Sequence, residues 1–281
     1  MPSDSPSSSS VGYVRDASDP RHLERALNDL TEGLRRMRLS ARLARLDIRN
    51  RYRGSVLGPF WLTLSTAIMI CGIGLLYSTL FRMPLREYLP YLAVSLLVWN
   101  TISQIVMDAC SSLIQSEAVI RQLPLPFSTH IWRFLIRNGI VAAHSLPLII
   151  VVFAICGVVP GPGAILALPG LALVAVNAFA VGLFLGMVCA RFRDVAQIVT
   201  SSMQLIFFMS PVLWKPELLR DLQVWLPLNP FYVVMETVRG PLVDGGAGLI
   251  IWLAAAAYTV LACAIAFAFF VRFRSRIAFW V

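Results

Sequence analysis

The sequence predicts an all-α integral membrane protein. Six transmembrane helices are expected, with an N-terminal amphipathic interface helix and a re-entrant periplasmic helical hairpin between spans five and six. Three observations carry that prediction. The 281 residues are 58% hydrophobic and only 14% charged, where soluble domains run nearer half apolar and a quarter charged. Apolar runs long enough to cross about 30 Å of hydrocarbon as a helix recur along the chain. Basic residues collect between those runs: "LDIRNRYRGSVLGPFW", residues 46–61, sets Arg49, Arg51 and Arg53 directly against an apolar stretch.

Taken in order, residues 1–18 are rich in Ser, Pro and Asp and predict a disordered tail. Residues 19–55 are charged and helix-compatible, and Asp19-Pro20 makes an N-cap and N1 pair. Arg38, Arg42, Arg45, Arg49 and Arg53 are spaced four, three, four and four apart, which stacks them on one helical face beside Leu39, Leu43 and Leu46. This fits a helix lying in the membrane interface, its arginines reaching toward headgroup phosphates; the blander reading is a topology signal alone. Arg42, Arg45, Arg49, Arg51 and Arg53 are the interface-helix residues. The membrane domain then occupies 56–271, and 272–281 is a cytoplasmic tail.

The apolar runs fall at about 56–81, 89–110, 131–157, 164–190, 195–213 and 247–271. The first is too long for a signal-peptide core of roughly 7–15 residues, and no small-residue cleavage site follows it. The fifth is the most polar, carrying Gln197, Thr200, Ser201, Ser202 and Gln204. Six spans put both termini on one side. If that side is the cytoplasm, nineteen of the 24 Lys and Arg residues lie there and five lie opposite, the positive-inside bias. Tyr88, Tyr91, Trp214 and Trp225 then fall at the outer interface. In the second run Asn100, Gln104 and Asp108 recur every four residues on one face. They predict either hydrogen bonding between helices or a polar wall of a translocation path.

"WKPELLRDLQVWLPLNPFYVVMETVRGP", residues 214–241, is too polar to span and too apolar for an ordinary loop. Pro216 starts a short helix that Pro227 ends; Asn229-Pro230 caps a second, which Gly240-Pro241 terminates. Such short apolar pieces are re-entrant or interfacial.

Composition also bounds the chemistry. A net charge of +9 and a pI near 9.9 mark the cytoplasmic side of a membrane chain, not a nucleic-acid partner. The five cysteines fall inside apolar runs with no CxxC pair, so they read as small buried hydrophobes. The lone Lys215 follows Trp214, so no GxxxxGK[ST] phosphate loop exists, and HExxH and GxSxG are absent. No catalytic residue and no metal site is expected. The segment "SSLIQSEAVIRQLPLPFSTH" is cytoplasmic by this topology; it is either an ordinary connection or a rigid knob that another protein pushes.

Four stretches carry a resemblance: "LDIRNRYRGSVLGPFW", "YLPYLAVSLLVWN", "RFRDVAQIV" and "FFMSPVLW…LNPFYVVMETVRGPL". Over roughly residues 40–270 the chain resembles the membrane subunits of type-two ATP-binding-cassette polysaccharide exporters. These are the O-antigen, capsule and teichoic-acid permeases, the O-antigen branch being nearest. The resemblance implies a homodimer in the bacterial inner membrane, each copy docked on a separate nucleotide-binding ATPase subunit. That subunit would hold ATP and Mg, and this chain no cofactor. The substrate implied is a lipid-linked glycan moved from cytoplasm to periplasm. Glu117, Arg121, Gln122 and Pro124 would form the ATPase-coupling knob. Asn229, Pro230, Tyr232, Glu236 and Arg239 would form the outer gate. Tyr77, Trp99 and Phe208 would stack on sugars in a path also lined by Asn100, Gln104, Asp108 and Gln204. Two alternatives stay open: an exporter of another cargo (capsule, teichoic acid, lipid or drug), and an intramembrane enzyme acting on lipid-linked sugars. The second needs a cluster that the scattered Glu87, Asp108 and Asp244 do not suggest.

Overall fold

The computed structural model describes residues 22–58 and 60–281; the tail expected at 1–18 and the Asp19-Pro20 cap lie outside them. Among the described residues every regular element is helical. Helices α1 (His22–Arg35) and α2 (Met37–Arg51) precede the apolar α3 (Phe60–Leu80) and α4 (Leu85–Ser111). The short α5 (Glu117–Gln122) leads into α6 (Phe127–Ala143) and α7 (Leu146–Cys156). Then come α8 (Ala167–Arg191), α9 (Asp194–Met209), α10 (Pro230–Val243), α11 (Leu249–Phe273) and a terminal turn, α12 (Ile277–Trp280).

Five stretches are long and apolar enough to cross a membrane: Phe60–Leu80, Leu85–Ser111, Phe127–Cys156, Pro162–Arg191 and Leu249–Trp280. The expected fifth span, 195–213, comes out shorter. Its helix α9 has 16 residues and rises only about 24 Å. The cause is local: Ser210 precedes Pro211, a position that disfavours helix, and it adopts φ −94°, ψ 144°.

The third stretch is not one rod. It breaks at His144 and Ser145, because Pro147 has no N–H to extend the ladder from α6 and sits instead in the first turn of α7. The break is held by α3: Thr63 Oγ1 donates to His144 O at 3.2 Å, and the Phe60 ring meets the His144 ring edge-on at 5.3 Å.

In the segment after α9, Asn229 caps α10 as its sequence suggests, its Oδ1 accepting from Phe231 N (3.0 Å) and Tyr232 N (3.2 Å). The helix runs past Gly240-Pro241 to Val243, so the expected stop comes three residues late. Pro241 forfeits a single backbone bond there, and Asp244 N still closes onto Gly240 O at 2.9 Å.

Helix α4 is the spine. Sixteen of its 27 residues are buried, and it packs against α3, α6, α7, α8, α9 and α10. Its neighbour α8 approaches closely through small residues. Gly170 lies against the backbone of Thr237 in α10, where an added Cβ would meet Thr237 C at 2.7 Å. By contrast α3 buries little beyond Thr66, Ile70, Gly74 and Ser78. It presents Leu64, Ile68, Leu75 and Leu76 outward, as a lipid- or protein-facing helix does.

Candidate functional site

Polar side chains are strung along α4 inside an otherwise apolar bundle. Tyr91, Ser95, Asn100, Gln104 and Asp108 follow one another at intervals of four or five residues; the first and last are roughly 26 Å apart along the axis. Polar groups at such depth need partners, and the partners divide the helix into three stations.

At the α5 end, Asp108 is buried and accepts four hydrogen bonds. Its Oδ2 takes Arg137 Nη2 (3.0 Å) and Asn138 Nδ2 (3.2 Å), both from α6. Its Oδ1 takes Gln104 Nε2 (3.0 Å) and Arg51 Nη2 (3.3 Å). Four donors saturate a carboxylate. Next to it, Arg133 of α6 grips Asp47 of α2 with two nitrogens, Nε lying 2.6 Å from Oδ2. Arg137 reaches the same carboxylate at 3.8 Å. Breaking one member of a buried pair costs about 3–5 kcal/mol, so this network fixes α2, α4 and α6 to one another.

Above it opens a cavity of about 370 Å³. Ser65 and Thr66 of α3, Asn100, Thr101, Ser103 and Gln104 of α4, Asn138 of α6 and Ser145 at the break line it, with Met69, Leu97 and Met107 between them. Asn100 Nδ2 donates to Thr66 Oγ1 at 3.2 Å, leaving its carbonyl oxygen free for a further donor. A pocket mixing amide and hydroxyl groups with apolar walls suits a neutral polar ligand such as sugar hydroxyls.

At the opposite end, Arg239 of α10 is completely buried. Its Nε donates to Glu236 Oε2 at 2.9 Å, and its Nη1 donates to Tyr91 Oη (2.7 Å), Ser95 Oγ (2.9 Å) and Pro211 O (2.6 Å). The guanidinium also lies over the Tyr91 ring, 4.4 Å from its centre. Tyr88 Oη donates to Leu213 O. The second and fourth of the stretches that carry the family resemblance thus touch each other here, side chain to backbone.

The remaining expected site residues are spread more widely. Trp99 is buried between Phe207 (5.6 Å) and Phe231 (6.0 Å), outside the cavity lining. Tyr77 is half-buried against Phe81 at 5.3 Å, outside the cavity lining. Gln204 and Phe208 lie exposed on α9, with Gln197 and Ser201 also exposed on that helix. On α2, Arg42, Arg45 and Arg49 are exposed while Ser40 and Ala44 pack inward; Arg53, expected on the same helical face, is exposed in the turn that follows, because α2 ends at Arg51, and Arg51 itself reaches Asp108. In the knob, Glu117 and Arg121 pair at 2.9 Å, Ile120 is the buried anchor, and Gln122, Leu123 and Pro124 are exposed. Of the expected gate residues on α10, Pro230 is exposed, whereas Tyr232, Glu236 and Arg239 are buried.

Sequence reading missed Asp47, Arg133, Arg137, Tyr91 and Ser95 as members of these networks. A signal existed for the α6 pair. Two arginines four residues apart inside an apolar helix demand buried acids, and Asp108 and Asp47 were the acids nearest that side of the bundle.

Residues 41–243 match the family model described as ABC-2 type transporter. Among curated proteins the chain is similar to an O-antigen export system permease protein RfbA of Klebsiella pneumoniae, 20% identical over 201 residues, covering 71% of this chain and 78% of that one. It is also similar to the O-antigen export system permease protein RfbA of Myxococcus xanthus, 26% identical over 201 residues, covering 70% and 77%.

Proposed function

The chain belongs to the ABC-2 type transporter family, and on that premise we propose that it is the membrane-spanning subunit of a polysaccharide exporter. In this reading it moves a lipid-linked, O-antigen-like glycan outward across the inner membrane and is powered by a separate ATPase subunit. The observation that carries the reading is the match to O-antigen export permeases along 201 residues of chain.

The geometry supports it physically. A long polar polymer cannot cross hydrocarbon and needs a hydrated, polar-lined route. The cavity beside Asn100 and Gln104 offers hydroxyl and amide groups of that kind. Helix α9 exposes Gln197, Ser201 and Gln204 among apolar residues, which is costly against lipid and favourable against water or a second copy of the chain. A homodimer with α9 at its seam therefore accounts for that face. In the same reading α9 completes a sixth crossing despite its length, which leaves α1, α2, α5 and residues 274–281 together on the cytoplasmic side. The unpaired arginines of α2 lie at headgroup level, and the exposed tip of α5 receives the ATPase. At the outer end Arg239, Glu236 and Tyr91 lock α10 over the bundle as a gate. ATP-driven movement shifts the bundle only through differential contact at the knob.

The test is genetic. Deleting the gene in its native host should strip the glycan from the cell surface while lipid-linked glycan accumulates inside. An unchanged surface glycan in that deletion strain overturns the proposal.

A further inference from the structure

Helix α1 has no part in the export mechanism above, yet its single buried acid is bound on every side. The Asp29 side chain has 0% exposure. Its Oδ2 accepts from Phe127 N at 3.1 Å, its Oδ1 from Ser128 N at 3.0 Å, and its backbone carbonyl from Ser128 Oγ at 2.6 Å. Phe127 and Ser128 open α6, and the preceding Pro126 offers no side-chain cap. Asp29 thus caps α6 from another helix, placing a negative charge where free amides and the helix dipole favour one.

A second partner comes from the far end of the chain. Arg274 donates through Nε to Asp29 Oδ2 at 2.8 Å, and its guanidinium lies 5.7 Å from the centre of the Phe127 ring. One turn beyond Asp29, Gly33 is pressed against Ser128, where an added Cβ would sit 3.0 Å from the serine Cβ. On the other flank of the knob, Arg121 Nη2 donates to Val281 O at 2.7 Å. The knob, the start of α6, the end of α11 and helix α1 therefore form one bonded block. Six and ten residues into α6 stand Arg133 and Arg137, which hold the floor of the polar cavity.

We propose that Asp29 is a positioning residue for energy coupling. By keying α1 and Arg274 into the first turn of α6, it makes a push on α5 move α6, and with it the cavity floor, as a rigid body. Without that key the push dissipates in the Leu123–Pro126 link. The inference rests on the reading of α5 as the ATPase contact.

The experiment has two arms. In the purified full chain, spin labels on Leu27→Cys and Ala118→Cys, with exposed Cys71→Ser, report the distance between α1 and the knob. The parent gives a narrow distribution, and Asp29→Asn broadens it, because an amide presents a donor to amide donors and loses Arg274. In the permease–ATPase complex reconstituted with its lipid-linked glycan, Asp29→Asn raises the ATP consumed per glycan moved about tenfold, within the range of ordinary coupling between sites. A Gly33→Cys, Ser128→Cys disulfide, whose Cβ spacing must open by about 0.5–0.8 Å, restores the ratio under oxidation and loses it on reduction. Arg274→Gln, which spares the two amide bonds, gives a smaller rise and serves if Asp29→Asn does not fold. A narrow distance with an unchanged ratio in both variants overturns the proposal. Deletion of Glu117–Pro124 with the ratio unchanged overturns the coupling reading beneath it, while the distance arm still judges the brace on its own.

Discussion

Arg239 of α10 donates to the Tyr91 hydroxyl of α4 at 2.7 Å, and that hydroxyl stands 2.9 Å from Pro211 O and 2.8 Å from Trp214 O, one of which takes its proton. One phenol therefore joins the spine helix, the turn after α9 and α10. Tyr91→Phe removes the junction while keeping the ring and should cost about 1–3 kcal/mol, the penalty for orphaning buried partners. Glu236→Ala strands a buried guanidinium and should cost more, about 3–5 kcal/mol. Chemical unfolding of the purified variants in detergent gives both values. Equal and small losses would mean the Arg239–Glu236–Tyr91 cluster is not built as described.

Gly170 and Gly139 make a controlled pair. A Cβ at 170 would drive into the Thr237 backbone, whereas one at 139 meets nothing within 4 Å. Gly170→Ala should therefore lower the melting temperature through a strained α8–α10 contact, with a cost of about 1–3 kcal/mol. Gly139→Ala should be neutral or slightly stabilising, since alanine is the better helix former. If the two melt alike, α10 does not lie against α8 in the membrane.

The arginines of α2 and α6 should separate function from folding. Arg45, Arg49 and Arg53 are exposed, so replacing all three with Gln should impair glycan export while insertion and thermal stability survive. Arg133→Gln breaks the two-nitrogen grip on Asp47 and should lower stability itself. Normal export in the triple variant would remove the interface role of α2.

On α9, Gln204 is exposed in an apolar helix. Against lipid, Gln204→Leu would raise stability and leave export intact. Against water or a second copy, the same change should lower export, and Gln197→Leu should add to the defect. Export assays in cells carrying the single and double variants decide between the two.

Much of this was legible in the sequence because it is local. Four-residue spacing alone puts Asn100, Gln104 and Asp108 on one face, and Asn229 before Pro230 announces a capped helix. The late end of α10 and the break at His144 show the limit of punctuation: Pro241 sits inside its helix, whereas Pro147 interrupts a stretch that reads as one apolar run. Long-range pairing was not legible. Asp29 looks like any acid on a charged helix until the fold brings Phe127 and Ser128 beside it, 98 and 99 residues away. Trp99 and Phe208 illustrate the same gap. Both are aromatics in apolar helices, but one is sealed between Phe207 and Phe231 and the other faces outward, a difference set by helix rotation that composition does not encode.

A conduit set in motion by a separate ATPase has a direct biochemical signature. Purified and reconstituted alone in vesicles loaded with ATP and lipid-linked glycan, it should neither hydrolyse nucleotide nor move glycan, and both activities should begin when the ATPase subunit is added. Vectorial movement or ATP turnover by this chain alone would show that it is not such a conduit.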